Sequence, residues 1–152
     1  VRSMKLREDD AVISMCVVNE DEKVLSITEN GYGKRTDPAE YREQGRGGQG
    51  VIAMNLTDKT GLLAAQLMIA EDEDILLITD DGTIIRTAAD SIRICGRATQ
   101  GVRLMRVGDG SRIVGVARAE KEDEDDETDA PENAAEESDA GEDVSAEPNE
   151  EI

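Results

Sequence analysis

Asp21-Glu22-Lys23-Val24-Leu25-Ser26-Ile27-Thr28 returns as Asp72-Glu73-Asp74-Ile75-Leu76-Leu77-Ile78-Thr79, an offset of 51 residues. The match continues without a gap. Gly31 answers to Gly82, Arg35-Thr36 to Arg86-Thr87, Gly45-Arg46 to Gly96-Arg97, and Gln49-Gly50-Val51 to Gln100-Gly101-Val102. Met54 then answers to Met105, and Leu62-Leu63 to Ile113-Val114. A partial copy precedes these at an offset of 50: Val1, Met4, Leu6 and Val12-Ile13 match Val51, Met54, Leu56 and Leu62-Leu63. The chain thus holds the last half of one unit and two whole units. It is expected to divide into residues 1–18, the second half of a preceding unit; 19–70 and 71–119, two complete units; and 120–152, a tail.

Each unit reads as four short strands. Lys23 to Thr28 is rich in aliphatic residues, and Asn30-Gly31 follows, a hairpin signal because both residues tolerate positive φ. Tyr32 to Thr36 is the return strand. A glycine-rich loop from Asp37 to Gly50 leads to Val51–Leu56 and Leu62–Met68, expected to form a second hairpin across Thr57 to Gly61. Asp81-Gly82 and Asp109-Gly110 are the corresponding turns of the next unit. Only Pro38 to Arg42 suggests a helical turn. Four strands per unit at this period mark an all-β, propeller-like array of antiparallel blades. One such unit cannot bury its faces alone, and two and a half are too few to close a ring. The chain, which opens at Val1 in mid-pattern, is therefore expected to be a piece of a longer protein, with an unpaired edge near Val1 open to self-association.

Charge is unevenly spread. Residues 120–152 carry 17 acidic side chains against one base, Lys121, so they account for −16 of the total −19. Residues 1–119 are close to neutral, and the acidic balance does not argue against a nucleic-acid partner for them. The tail has almost nothing large and apolar, so it is expected to be disordered. It is expected either to compete with a polyanion for basic groups on the body or merely to solubilise. Phe, Trp and His are absent, and the only aromatic residues are Tyr32 and Tyr41. The core must come from Val, Ile, Leu, Met and Ala. No apolar run approaches a membrane span, and no signal peptide opens the chain. Cys16 and Cys95 are expected to be buried free thiols.

Catalysis and metal binding find no support. Asp80-Asp81 sits in a turn, and Asp72-Glu73-Asp74 lacks the spacing of a calcium loop. Gly45-Arg46-Gly47-Gly48-Gln49-Gly50 formally contains G-x-G-x-x-G, but a strand pattern follows it where a dinucleotide site needs a helix. Its glycines are explained by a loop entering the next strand. Basic residues recur in register: Lys34-Arg35 with Arg86, and Arg46 with Arg97. Cations at one place in successive blades share a face or rim, which suits a row of phosphates. Lys34, Arg35, Arg46, Arg86 and Arg97 are therefore candidate DNA-backbone contacts. The competing reading has the arginines pair with repeated acids such as Asp21 and Asp72 to hold neighbouring blades.

Thr28-Glu29-Asn30-Gly31-Tyr32-Gly33-Lys34-Arg35-Thr36 resembles a segment of the C-terminal domain of the bacterial DNA gyrase A protein. Ile78-Thr79-Asp80-Asp81-Gly82-Thr83 with Arg86-Thr87, and Gly96-Arg97-Ala98-Thr99-Gln100-Gly101-Val102, resemble it too. The likeness covers residues 1 to about 119. It implies a β-pinwheel whose neighbouring blades exchange strands and whose basic perimeter bends double-stranded DNA. It further implies a cytoplasmic, chromosome-associated holoenzyme, a topoisomerase of two A and two B subunits that supercoils DNA negatively. ATP and magnesium would be used by that holoenzyme, with no cofactor in this segment. Gln44 to Gly50 is a weaker echo of the family's hallmark Gln-Arg-Arg-Gly-Gly-Lys-Gly box and is not assigned that role. Tyr32 and Tyr41 lack the Arg-Ala-Tyr-Thr context of the family's catalytic tyrosine. The alternatives are the related subunit of topoisomerase IV and a propeller used only for protein–protein contact.

Overall fold

A computed structural model describes residues 1–122 of the chain. The tail expectation falls almost wholly on residues 123–152, which lie outside the described residues. The regular elements are strands β1 (Lys23–Thr28), β2 (Tyr32–Thr36), β3 (Leu63–Ile69), β4 (Glu73–Thr79), β5 (Ile84–Ala88), β6 (Val102–Arg103) and β7 (Ile113–Glu120). Two single 3-10 turns, Pro38–Glu40 and Ala89–Ser91, follow β2 and β5.

The hairpins form where the turn residues place them. Gly31 and Gly82 hold φ of 86° and 87°, a region glycine enters without steric cost. The turns are also built alike. The Thr28 hydroxyl accepts from the Tyr32 N–H (3.2 Å) and donates to its carbonyl (3.3 Å). Thr79 repeats this with Thr83 at 3.1 Å for both bonds. The first 3-10 turn is started by Asp37, whose carboxylate accepts from the Ala39 N–H at 2.9 Å, with Pro38 at its first position. Proline's fixed φ suits that place.

Two antiparallel sheets result, in the orders β3-β1-β2-β6 and β5-β4-β7. The expected second hairpin within each unit does not form, and the difference is informative. β6 belongs by sequence to the second unit, yet it pairs with β2 of the first, Tyr32 opposite Arg103 and Gly33 opposite Val102. The first sheet reaches four strands only through this exchange. Val51–Leu56, the counterpart of β6, is irregular. Its pairing partner would be the return strand of a preceding unit, and among the described residues no strand lies before Lys23. Residues 1–20 are exposed throughout and touch the body through a bridge between Met4 and Gly48.

The core lies between the sheets. Leu25, Ile27 and Ile69 of the first pack with Ile75, Leu77 and Ile113 of the second, joined by Ala89 and Ile92 at the second 3-10 turn and by Met105. Fully burying each of these large side chains stabilises by about 1.5–3 kcal/mol. By the 51-residue offset, Ile75, Leu77 and Ile92 correspond to Val24, Ser26 and Tyr41. Val24 and Tyr41 line a groove of about 690 Å³ with Cys16, Val18, Gln66 and Met68. The face that carries the second unit onto the first is thus, in the first unit, open. Both thiols are free, but the expectation of buried cysteines is corrected: Cys16 is exposed and Cys95 partly so. Cys16 lies in the strandless leading segment, and Cys95 in the loop between the second 3-10 turn and β6, its backbone N–H bonded to β2 and its side chain partly exposed.

Candidate nucleic-acid interface

Of the five cations singled out in the sequence, two are not at the surface. Lys34 is completely buried. Its ammonium donates to the carbonyls of Gly96 (2.9 Å), Thr99 (3.0 Å) and Arg97. Burial holds its pKa below the usual lysine value. Arg35, next along β2, points to the other side and is 4% exposed. Its Nε donates to the Ile92 carbonyl at 2.8 Å and its Nη2 to that of Asp90 at 3.3 Å. The Arg35 backbone joins the grip: its N–H donates to the Arg93 carbonyl (3.0 Å) and its carbonyl accepts from the Cys95 N–H (2.8 Å). Lys34 and Arg35 therefore clamp the 90–99 loop of the second unit onto β2 of the first. They brace the blades through carbonyls, not through Asp21 and Asp72.

Arg86 is engaged by its own unit and by the residues just after it. It is held by Asp74 (2.7 Å), Glu122 (2.8 Å) and the Glu120 carbonyl. Arg97 is half-buried. Its guanidinium donates to the Ile52 carbonyl, and its N–H donates to the Glu40 carboxylate. Arg46 is exposed and, among the described residues, sits in no ion pair or side-chain hydrogen bond.

The basic residues that do face solvent unpaired were partly missed. Arg42 and Arg93 are both exposed, stand 51 residues apart, and enter no ion pair among the described residues. The same offset that relates Arg46 to Arg97 could have found them. Arg42 and Arg97, with Glu40 and Ile52, line one concavity. A second cluster, Lys59, Arg103 and Arg106, gathers round Tyr32. No repeat links these three, so nothing in the sequence signals them. Among the described residues, four other cations are paired. Arg118 bridges Glu73 (2.7 Å) and Glu22 (3.2 Å), Arg112 lies 3.7 Å from Glu29, Lys121 2.9 Å from Asp90, and Lys23 3.2 Å from Asp37. Besides Arg2, Lys5 and Arg7 of the leading segment, the exposed cations without an ion pair among the described residues lie on the loops 42–46 and 93–97 and around Tyr32. Such a surface attracts a polyanion by charge and carries no groove-reading helix.

A family model described as "DNA gyrase C-terminal domain, beta-propeller" matches residues 1–19, 22–65 and 73–120. Over 132 residues the chain is 39% identical to the DNA gyrase A protein of Pseudomonas aeruginosa, covering 87% of this chain and 14% of that protein. With the gyrase A protein of Escherichia coli it shares 43% over 127 residues, 83% of this chain and 14% of that one. The chain therefore spans about one seventh of these relatives' length. A solved structure of the DNA gyrase A C-terminal domain superposes with a TM-score of 0.63 at 27% identity, over 67% of this chain and 35% of that chain. The C-terminal domain of DNA topoisomerase IV superposes at 0.72 with 22% identity, over 79% and 38%, which is a likeness of fold. With its blades, exchanged strand and repeat now accounted for, the chain belongs to the DNA gyrase C-terminal domain family.

Proposed function

We propose that this chain binds the backbone of double-stranded DNA along the loop arginines Arg42, Arg46, Arg93 and Arg97, and wraps it as part of a DNA gyrase A protein. The single observation behind this is that these cations recur at the repeat offset in loops and, Arg97 apart, are spared the protein contacts that occupy Lys34, Arg35 and Arg86. Planar guanidinium groups suit phosphate oxygens, and contacts of this kind position a duplex without reading its sequence. Topoisomerase IV is the lesser reading, because the relatives with the higher identities are gyrase A proteins.

In the holoenzyme, wrapping by this segment would serve ATP-dependent negative supercoiling together with gyrase B proteins and a second gyrase A protein. ATP and magnesium would belong to other parts of that assembly. The Gly45–Gly50 loop runs into irregular chain rather than a helix N-terminus, which does not fit a nucleotide phosphate site.

The test is the pair Arg42→Ala with Arg93→Ala, followed by the salt dependence of duplex binding. Two lost phosphate contacts should reduce the log–log slope by about 1.8, at ~0.9 per phosphate. An unchanged slope with unchanged affinity would refute the assignment.

A further inference from the structure

The cluster around Tyr32 lies on no repeat register and is not needed for the loop-arginine reading. We propose that Lys59, Arg103 and Arg106 form, beside the Tyr32 phenol, a binding niche for a single phosphate group at the seam where β6 crosses to the first unit. The three cations come from separate places: the 57–61 turn of the first unit, the exchanged strand, and the chain just beyond it. The Arg103 guanidinium donates to the Tyr32 hydroxyl at 3.0 Å. It also lies 5.4 Å from the ring centroid, with the Lys59 ammonium 5.7 Å from it. Tyr32 itself is only 5% exposed, so its hydroxyl is a fixed reference point in the cluster.

The niche is a concavity of about 380 Å³ that Asn30, Asp109, Ser111 and the backbone of Gly108 and Gly110 help to line. Most of the neutral groups are already engaged. Asn30 donates to the Asp58 and Lys59 carbonyls, which fixes the turn that carries Lys59. Ser111 donates to Asp80. Asp109 is the one carboxylate in this lining, and among the described residues none of the three cations forms an ion pair. Gathering three like charges is unfavourable unless an anion joins them. Two guanidinium forks and an ammonium provide donors in the geometry that a phosphate's oxygens accept.

The local field leaves a mark on the phenol. Burial raises the Tyr32 pKa, but Arg103 and Lys59 more than offset this and hold it below the ordinary tyrosine value. The charged groups facing it are Lys59, Arg103 and Arg106, opposed by Asp109. The phosphate could belong to the duplex backbone or be free in solution, and only the first source rests on the DNA reading above.

The phenol itself is the probe. In the full chain carrying Tyr41→Phe, Tyr32 is the sole tyrosine, and its ionisation is followed by ultraviolet absorbance. Inorganic phosphate should raise the titration midpoint by about one pH unit, relative to chloride at equal ionic strength, because a bound anion cancels cations a few ångströms away. Lys59→Gln, in an exposed turn, should reduce this response, and Arg103→Ala with Arg106→Ala should abolish it. Far-ultraviolet circular dichroism verifies that each variant is folded. A short duplex, with binding followed separately by anisotropy, is the second arm. A matching rise identifies a backbone phosphate as occupant. A rise with inorganic phosphate but not with bound duplex assigns the niche to free phosphate. If neither ligand moves the midpoint beyond the chloride control, the niche is refuted, and duplex binding that persists then leaves the loop-arginine reading intact. Loss of duplex binding alone would strike that reading and not this one.

Discussion

Lys34→Met separates a brace from a phosphate contact. The ammonium has three carbonyl acceptors, but they do not depend on it equally. The Gly96 carbonyl also accepts from the Thr99 N–H (3.2 Å) and hydroxyl (2.7 Å), and the Thr99 carbonyl accepts from the Asn55 N–H (3.1 Å). Among the described residues the Arg97 carbonyl has Lys34 alone. Methionine matches the volume and leaves that carbonyl orphaned, at about 1–3 kcal/mol, while the charge-assisted bonds to the other two are lost as well. Release of a desolvated charge offsets part of this. The net loss should be about 2–4 kcal/mol, or about 10–20 °C in melting temperature at ~5 °C per kcal/mol for a unit of this size. A second readout is the alkaline limb. The folded pKa of Lys34 is depressed by burial, so the unfolded chain holds that proton more tightly. Wild-type stability should therefore rise with pH between the depressed value and the ordinary 10.5, and the variant should lack that rise. The assay is thermal unfolding over pH, with the salt slope of duplex binding measured in parallel. An unchanged melting temperature with a slope reduced by about 0.9 would place Lys34 at a phosphate and refute the clamp.

Gly101 holds φ of 79° with its α-carbon facing the Gly33 carbonyl, so a Cβ there would stand 2.5 Å from that oxygen. Gly101→Ala should cost about 1–2 kcal/mol for the left-handed backbone and in addition push β6 off β2. Amide exchange should then quicken at Val102 to Leu104 and stay slow in β4; equal protection throughout would show that the exchanged strand does not depend on this approach. Asp81 has its pKa lowered to about 2, chiefly by the Thr79 hydroxyl and then by the Thr83 N–H. A depressed carboxylate contributes stability above its unfolded pKa near 3.8, and that contribution fades as pH falls toward about 2. Asp81→Asn should flatten the acid limb of stability between those values, and an identical limb in both proteins would count against the turn geometry.

The elements of the fold were legible because the signals for them are local. A threonine, two turn residues and a glycine recur at one offset, and the hairpins form there. Strand partnership is not local. Val102–Arg103 reads, by proximity, as the hairpin mate of Ile113–Val116, and nothing in its composition distinguishes that mate from Tyr32–Gly33. Its true place is marked by Gly101, where a Cβ would stand 2.5 Å from the Gly33 carbonyl oxygen, and by Gly33, where one would meet the Leu104 and Ile27 side chains. The identical offset also hides why Val51–Leu56 stays irregular: a strand pattern states a capacity to pair, and the return strand that would satisfy it is absent from residues 1–22.

The cations show why repeat register alone misplaces a site. Register fixes a backbone position, whereas the fate of a charge is fixed by its partners, and these do not repeat. Arg35 grips the carbonyls of a following loop. Arg86, its counterpart, meets Asp74 instead, at the position where the first unit carries Lys23. Lys34 has Ile85 as its counterpart, which marks that side of the strand as interior. In stacked blades both faces of a sheet are covered, so alternation along a strand does not deliver a side chain to solvent as it would in a one-sided sheet. Cations on a central strand such as β2 are structural by default, whereas Arg103, on the edge strand β6, is exposed. Loop cations such as Arg42, Arg46 and Arg93 remain free because no neighbouring sheet reaches them, and that distinction between strand and loop can be drawn from the sequence before any partner is known.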